Sequence, residues 1–100
     1  MKPVTLHEGA EADLREGISY YERQRFGLGG ELRREFEEAL HRVRENPLAY
    51  AVEDDAGTRF CLLQRFPYTL VYVELEDRIW VAAVAHHRRR PRYWAGRTVN

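Results

Sequence analysis

The chain has 100 residues, with 16 lysines and arginines set against 16 aspartates and glutamates, so its formal charge is zero. That length holds one domain and one modest core. The 44% hydrophobic fraction and absent net charge argue against intrinsic disorder. No apolar run approaches the ~20 residues of a membrane helix, no charged-then-apolar leader opens the chain, and the single Cys61 excludes an internal disulfide framework and a multi-thiolate metal site. These features predict a cytoplasmic protein that does not contact membranes, with no metal or cofactor.

In chain order, Lys2–Leu6 reads as a short strand with Val4 and Leu6 on one face. A helix is predicted from Gly9 to Arg25, because Ala10, Leu14, Ile18 and Tyr21 fall on one helical stripe. Glu8, Glu11 and Asp13 sit near its start, where carboxylates complement the helix dipole. Phe26–Gly30 is a link, and a second helix runs from Gly29 to Asn46 on the stripe Leu32, Phe36, Ala39, Leu40 and Val43. Pro47 stops it, since proline has no N–H to donate. So short a link predicts an antiparallel helical hairpin.

The period then changes. Leu48–Thr58 reads as a loop carrying the acids Glu53, Asp54 and Asp55. Strands are predicted at Arg59–Arg65, Tyr68–Glu74 and Ile79–His86, the last two joined in a hairpin by the turn Leu75–Arg78. Arg88–Asn100 is a basic tail, a loop with room for one helical turn. The order predicts one α+β domain over residues 1–100. An N-terminal strand and an antiparallel helical hairpin would pack on a mainly antiparallel sheet of three or four strands, followed by the tail.

The neutral total conceals an asymmetry. Residues 1–58 carry 8 cations and 13 anions, a difference of −5, whereas residues 59–100 carry 8 cations and 3 anions, a difference of +5. All the cations but Lys2 are arginine. Two outcomes are open for the arginines: the halves neutralise each other across the fold, or the second half presents a positive field to an acidic partner or nucleic acid.

Most candidate chemistry falls away on inspection. The glycines around Gly27–Gly30 join two helices and form no phosphate loop. His7 and His41 stand alone and read as solvated, Cys61 as a small buried residue, and Ser19 sits mid-helix. What remains is a C-terminal cluster: His86 and His87 end a strand, Arg88, Arg89 and Arg90 follow, Arg65 precedes the turn into the neighbouring strand, and Arg92, Tyr93, Trp94 and Arg97 complete the tail. Arginine grips carboxylates and phosphates bidentately, histidine moves protons near neutral pH, and aromatic faces stack on bases. For Trp94, packing against the sheet is the stronger expectation.

These residues, in order, resemble the RelE/ParE superfamily of bacterial toxins. The resemblance lies in Arg65–Tyr72, in Ile79–Val84, and in His86, Arg88, Arg89, Pro91, Tyr93, Trp94 and Arg97. Ala12-Asp13-Leu14 with Tyr20-Tyr21, Phe26–Gly29, Ala39-Leu40 and Asn46-Pro47 extend it over nearly the whole chain. The resemblance implies the toxin of a type II toxin–antitoxin system, of the kind that inhibits growth and stabilises plasmids. A cognate antitoxin that folds on binding would neutralise it. Two branches differ in target. ParE-like members inhibit DNA gyrase and are not enzymes; RelE-like members cleave mRNA on the ribosome. The nuclease alternative would use Arg65, His87 and Arg88, whereas the favoured ParE-like reading assigns no catalytic residue. It gives partner or target binding to Arg65, Arg88, Arg89, Arg90, Arg92, Tyr93, Trp94 and Arg97. The nuclease branch's lysines are missing, and arginine, with a pKa above about 12, transfers protons poorly. A third possibility is a toxin that retains only antitoxin binding.

Overall fold

The computed structural model describes residues 1–99. Strand β1 (Val4–Leu6) leads into helix α1 (Glu8–Gln24), and α2 (Leu28–Glu45) returns alongside it. A 3-10 turn (Pro47–Ala49) lies inside the segment predicted as loop, and β2 (Thr58–Leu62), β3 (Tyr68–Glu74) and β4 (Ile79–His86) follow. The domain is α+β as predicted, and the sheet order is β1-β4-β3-β2. The β2–β3 and β3–β4 pairs are antiparallel, but β1 lies parallel to β4, so the sheet is mixed.

The helical hairpin forms where expected, with ends shifted by a residue or so. His7, read from sequence as a solvated histidine, instead caps α1: the Gly9 N–H donates to its Nδ1 at 2.9 Å, and its ring stands edge-on to Trp80. The link turns through Gly27 at φ +87°, a conformation that favours glycine. Glu22 reaches across it and accepts from the Gly27 and Gly29 N–H groups at about 3.0 Å, satisfying donors at the start of α2. Gly29 also lets the helices close up. A methyl group there would sit 2.5 Å from the Ile18 carbonyl oxygen.

The helices cover one sheet face, around Leu14, Leu32, Phe36, Val43, Tyr68, Leu70, Tyr72 and Val81. The opposite face is smaller: Val71, Trp80, Ala82, Ala83 and Ala85 are covered by Phe60, Tyr93 and Trp94. β4 is therefore buried on both sides, which explains its nearly unbroken apolar sequence.

Strand β2 ends at Leu62, short of the predicted Arg65. Pro67 cannot donate into a ladder. The Arg65 N–H instead donates to the Glu35 carboxylate at 2.9 Å, while the Leu63 N–H closes the turn on the Tyr68 carbonyl.

One irregularity positions the site. The β3–β4 register jumps between Val71 and Tyr72, so Val71 faces Ala83 while Tyr72 faces Val81, leaving Ala82 as an extra residue. Before the bulge, the Ile79 N–H and Val81 carbonyl bond toward β1. After it, the Ala82 carbonyl and Val84 N–H face that same outer edge, where β1 has ended. Gly29→Ala is expected to lower stability by about 1–3 kcal/mol through overpacking, measured by urea unfolding; an unchanged midpoint would show that the helices have slack there.

Candidate functional site: an arginine-rimmed groove

The side chain that meets this displaced edge is Asp13. It lies on the inner face of α1 and is 7% exposed. Its Oδ2 accepts from the Val84 N–H at 3.2 Å, the Tyr93 hydroxyl at 2.9 Å and Arg97 Nη1 at 3.0 Å. Arg97 Nη1 also donates to the Ala82 carbonyl at 2.9 Å. The guanidinium crosses the first turn of α1 at Gly9, where a methyl group would come within 2.5 Å of it. One carboxylate thus ties α1, β4 and the tail together. Its place near the helix start suggested a role with the helix dipole; the acids in the first turn are Glu8 and Glu11, and Asp13 faces inward.

Asp13 also lies at the base of a groove of about 920 Å³ between α1 and the end of β4. Tyr20, Tyr21, Glu16 and Arg23 form its helix side, Tyr68, His86 and His87 its sheet side, and Arg88 and Arg89 its rim. Tyr68 packs close under α1 because Gly17 leaves room: a Cβ there would lie 2.6 Å from the Tyr68 hydroxyl. Burial pushes the Tyr68 hydroxyl up to about 12, and burial with the hydrogen bond to Asp13 raises Tyr93 well above its ordinary value. Both phenols remain protonated at neutral pH.

His86 stands edge-on to Tyr68. Burial first, then the charges of His87, Arg88 and Arg89, holds its imidazole below the usual 6.5. Its Nδ1 accepts the Arg88 N–H at 3.0 Å, which puts the proton of the neutral ring on Nε2. His86 is thereby a hydrogen-bond donor and not a free base. His87 Nε2 lies 3.0 Å from the Thr69 hydroxyl.

The predicted site residues divide into groups. His87, Arg88 and Arg89 line the groove. Arg65 does not. It pairs with Glu31 on α2, and this hydrogen bond holds the Glu31 carboxyl below its usual range. Arg92, at φ +59°, pairs with Asp54 at 2.9 Å. Arg97 pairs with Asp13. Tyr93 and Trp94 pack on the second sheet face, with Trp94 edge-on to Phe60 at 5.8 Å. The tail forms successive i to i+3 turns without a helix. Among the described residues, Arg88 and Arg90 have no ion-pair partner. Sequence reasoning missed Asp13, Tyr68 and the tyrosine wall of α1. The available signal was an acid at i+3 from Ala10 and i+4 before Gly17, on the buried stripe.

The helical hairpin on a small mixed sheet is consistent with the fold of a RelE/ParE-superfamily toxin. Residues 4–91 match the family described as the ParE toxin of the type II toxin–antitoxin system parDE, and the chain belongs to that family. Among solved structures, it is similar to a chain from the chromosomal ParDE toxin–antitoxin system of P. aeruginosa. The TM-score is 0.63 at 16% identity, covering 86% of this chain and 96% of that one, a likeness of fold. No curated protein matches the chain. No helix among the described residues is long and apolar enough to cross a membrane.

Removing the carboxylate would strand Arg97 in a largely buried site. Asp13→Ala is expected to lower stability by about 3 kcal/mol and to speed tryptic cleavage in the tail at native temperature. Wild-type cleavage rates would show that the tail is held by other contacts.

Proposed function

We infer that the chain is a cytoplasmic growth-inhibiting toxin that acts by binding DNA gyrase, and that a cognate antitoxin neutralises it by covering its basic surface. The family supplies the toxin role. The observation that carries the choice of target is the position of Arg65, which pairs with Glu31 at the surface and does not line the groove. Phosphodiester cleavage needs a cation at the phosphate and groups that move protons around it. Arg65 is drawn to α2 by Glu31 and is not part of the groove that contains His87 and Arg88. The neighbouring His86 has its Nδ1 committed to a backbone N–H. This supports a surface that grips rather than cleaves.

Arg88, Arg89 and Arg90 form that surface: all three are exposed and adjacent, and Arg88 and Arg89 line the groove. Guanidinium forks suit the carboxylates of an acidic protein surface. An antitoxin segment lying over the same arginines would exclude the target by occupancy alone.

Purified gyrase is expected to lose supercoiling activity at near-stoichiometric amounts of the chain. Replacing both Arg88 and Arg89 with alanine should weaken this by at least about tenfold in protein that circular dichroism shows to be folded. Unaffected gyrase at large excess, together with mRNA cut on translating ribosomes, would return the reading to the nuclease branch.

A further inference from the structure

Helix α1 lays three unlike side chains along one wall of the groove. Glu16, Tyr20 and Arg23 stand at i, i+4 and i+7, so they share a helix face. All three are exposed and line the groove. We propose that this wall, with Arg88 on the rim, is a binding site for a free nucleoside monophosphate with a guanine base. Glu16 reads the base, Tyr20 stacks on it, and Arg23 and Arg88 take the phosphate. The site does not depend on the gyrase reading or on a protein partner.

Reach comes first. Seven residues of helix rise about 10.5 Å, which sets a carboxylate and a guanidinium two turns apart with an aromatic ring between them. A nucleoside monophosphate has a similar reach and the same order: a donor-bearing edge, a flat ring, and a phosphate at the far end. The groove, at about 920 Å³, lies within the ~300–1,000 Å³ typical of small-molecule sites.

These groups are also uncommitted. Among the described residues, Glu16, Arg23 and Arg88 have no ion-pair partner. Arg23 donates from Nη1 to the Ser19 hydroxyl at 3.1 Å, one bond for a group with five N–H donors. Tyr20 is 49% exposed and stands edge-on to Tyr21 at 5.1 Å, which steadies the ring and leaves much of it open to a ligand. Arg89, by contrast, is engaged: its guanidinium stacks 3.8 Å from the Tyr93 ring centre, and Nη1 lies 3.8 Å from Asp13 Oδ1. The free arginines of the groove are therefore Arg23 and Arg88.

The carboxylate selects the base. Guanine alone among the common bases presents two adjacent N–H donors on its pairing edge, at N1 and N2, and one carboxylate accepts both. Adenine places an acceptor at N1, which a carboxylate repels. Sites built on such hydrogen bonds reject an analogue that lacks the partner group strongly. The same carboxylate argues for a free nucleotide over a polymer. A nucleic-acid backbone carries charge at every step and would meet Asp13 and Glu16 along this wall, whereas a mononucleotide carries its charge at one end only.

The test uses the full chain and NMR detection. GMP, IMP, AMP, guanosine and inorganic phosphate are separate probes, with a guanine-containing RNA trinucleotide beside them. GMP should shift the signals of Gly17, Tyr20, Arg23 and Arg88. IMP, which lacks the N2 amino group, should bind about fivefold more weakly, AMP more weakly still, and guanosine about tenfold more weakly than GMP. Glu16→Gln should weaken GMP about tenfold and leave AMP no weaker. Arg23→Ala should weaken GMP about tenfold and leave guanosine unchanged, and Tyr20→Ala should weaken both about tenfold. Arg34→Ala, on the exposed face of α2, should change nothing. Circular dichroism identifies any variant that has lost its fold, and Glu16→Gln keeps the test decisive if Tyr20→Ala is unstable. Absent shifts at millimolar GMP, equal binding of AMP, equal shifts with inorganic phosphate, wild-type GMP affinity in Glu16→Gln, or tighter binding of the trinucleotide would each overturn the proposal. Gyrase inhibition is measured separately without nucleotide, so the failure of either reading leaves the other standing.

Discussion

One buried carboxylate organises this molecule. The β4 bulge turns two backbone groups toward an edge where β1 has already ended, and such groups cannot be buried without partners. Asp13 and Arg97 satisfy both, one from the first helix and one from the last residues of the chain. The same bonds draw Tyr93 and Trp94 over the second sheet face and close the base of the groove. Bulge, helix, tail and groove are therefore consequences of a single arrangement. A largely buried ion pair of this kind is strongly destabilising to break by halves, because either partner alone loses its nearest counter-charge.

The arrangement also sorts the arginines. The excess cations of the second half of the chain return in part to the acidic first half: Arg65 to Glu31, Arg92 to Asp54, Arg97 to Asp13. Arg97 is paired in a largely buried site, whereas Arg65 and Arg92 are paired at the surface. Arg88 and Arg90 lack ion-pair partners among the described residues, and Arg89 rests on Tyr93 at the margin of the cluster. Neutralisation across the fold, one of the possibilities left open by the neutral sum, thus holds for Arg65, Arg92 and Arg97. Arg88, Arg89 and Arg90 thus stand exposed together at one end of the sheet, with Arg88 and Arg89 beside an aromatic groove.

Much of the fold was legible because it is written locally. The stripes of α1 and α2, the stop at Pro47 and the β3–β4 hairpin all follow from short-range periodicity and turn chemistry. The parallel direction of β1 was not legible, since three residues carry no signal for the strand they will meet. Nor was the bulge, which depends on β4 accommodating β1, β3 and both covering layers at once. Sequence reasoning grouped Arg65 with His87, Arg88 and Arg89, whereas the structure brings only the last three together along the groove. The acids that claim Arg65 lie on α2, 30 or more residues away. Asp13 was hidden for a different reason: near a helix start an acid has a ready explanation, and only its alignment with Ala10 and Gly17 reveals that it faces inward.

The dependence of the tail on this carboxylate is tested most directly by a double-mutant cycle between Asp13→Ala and Arg97→Ala, read by urea unfolding. A coupling energy of about 2 kcal/mol is expected, because either single replacement removes the nearest counter-charge of a largely buried group. Additive effects, with no coupling, would contradict the account and place the closure of the tail in the packing of Tyr93 and Trp94.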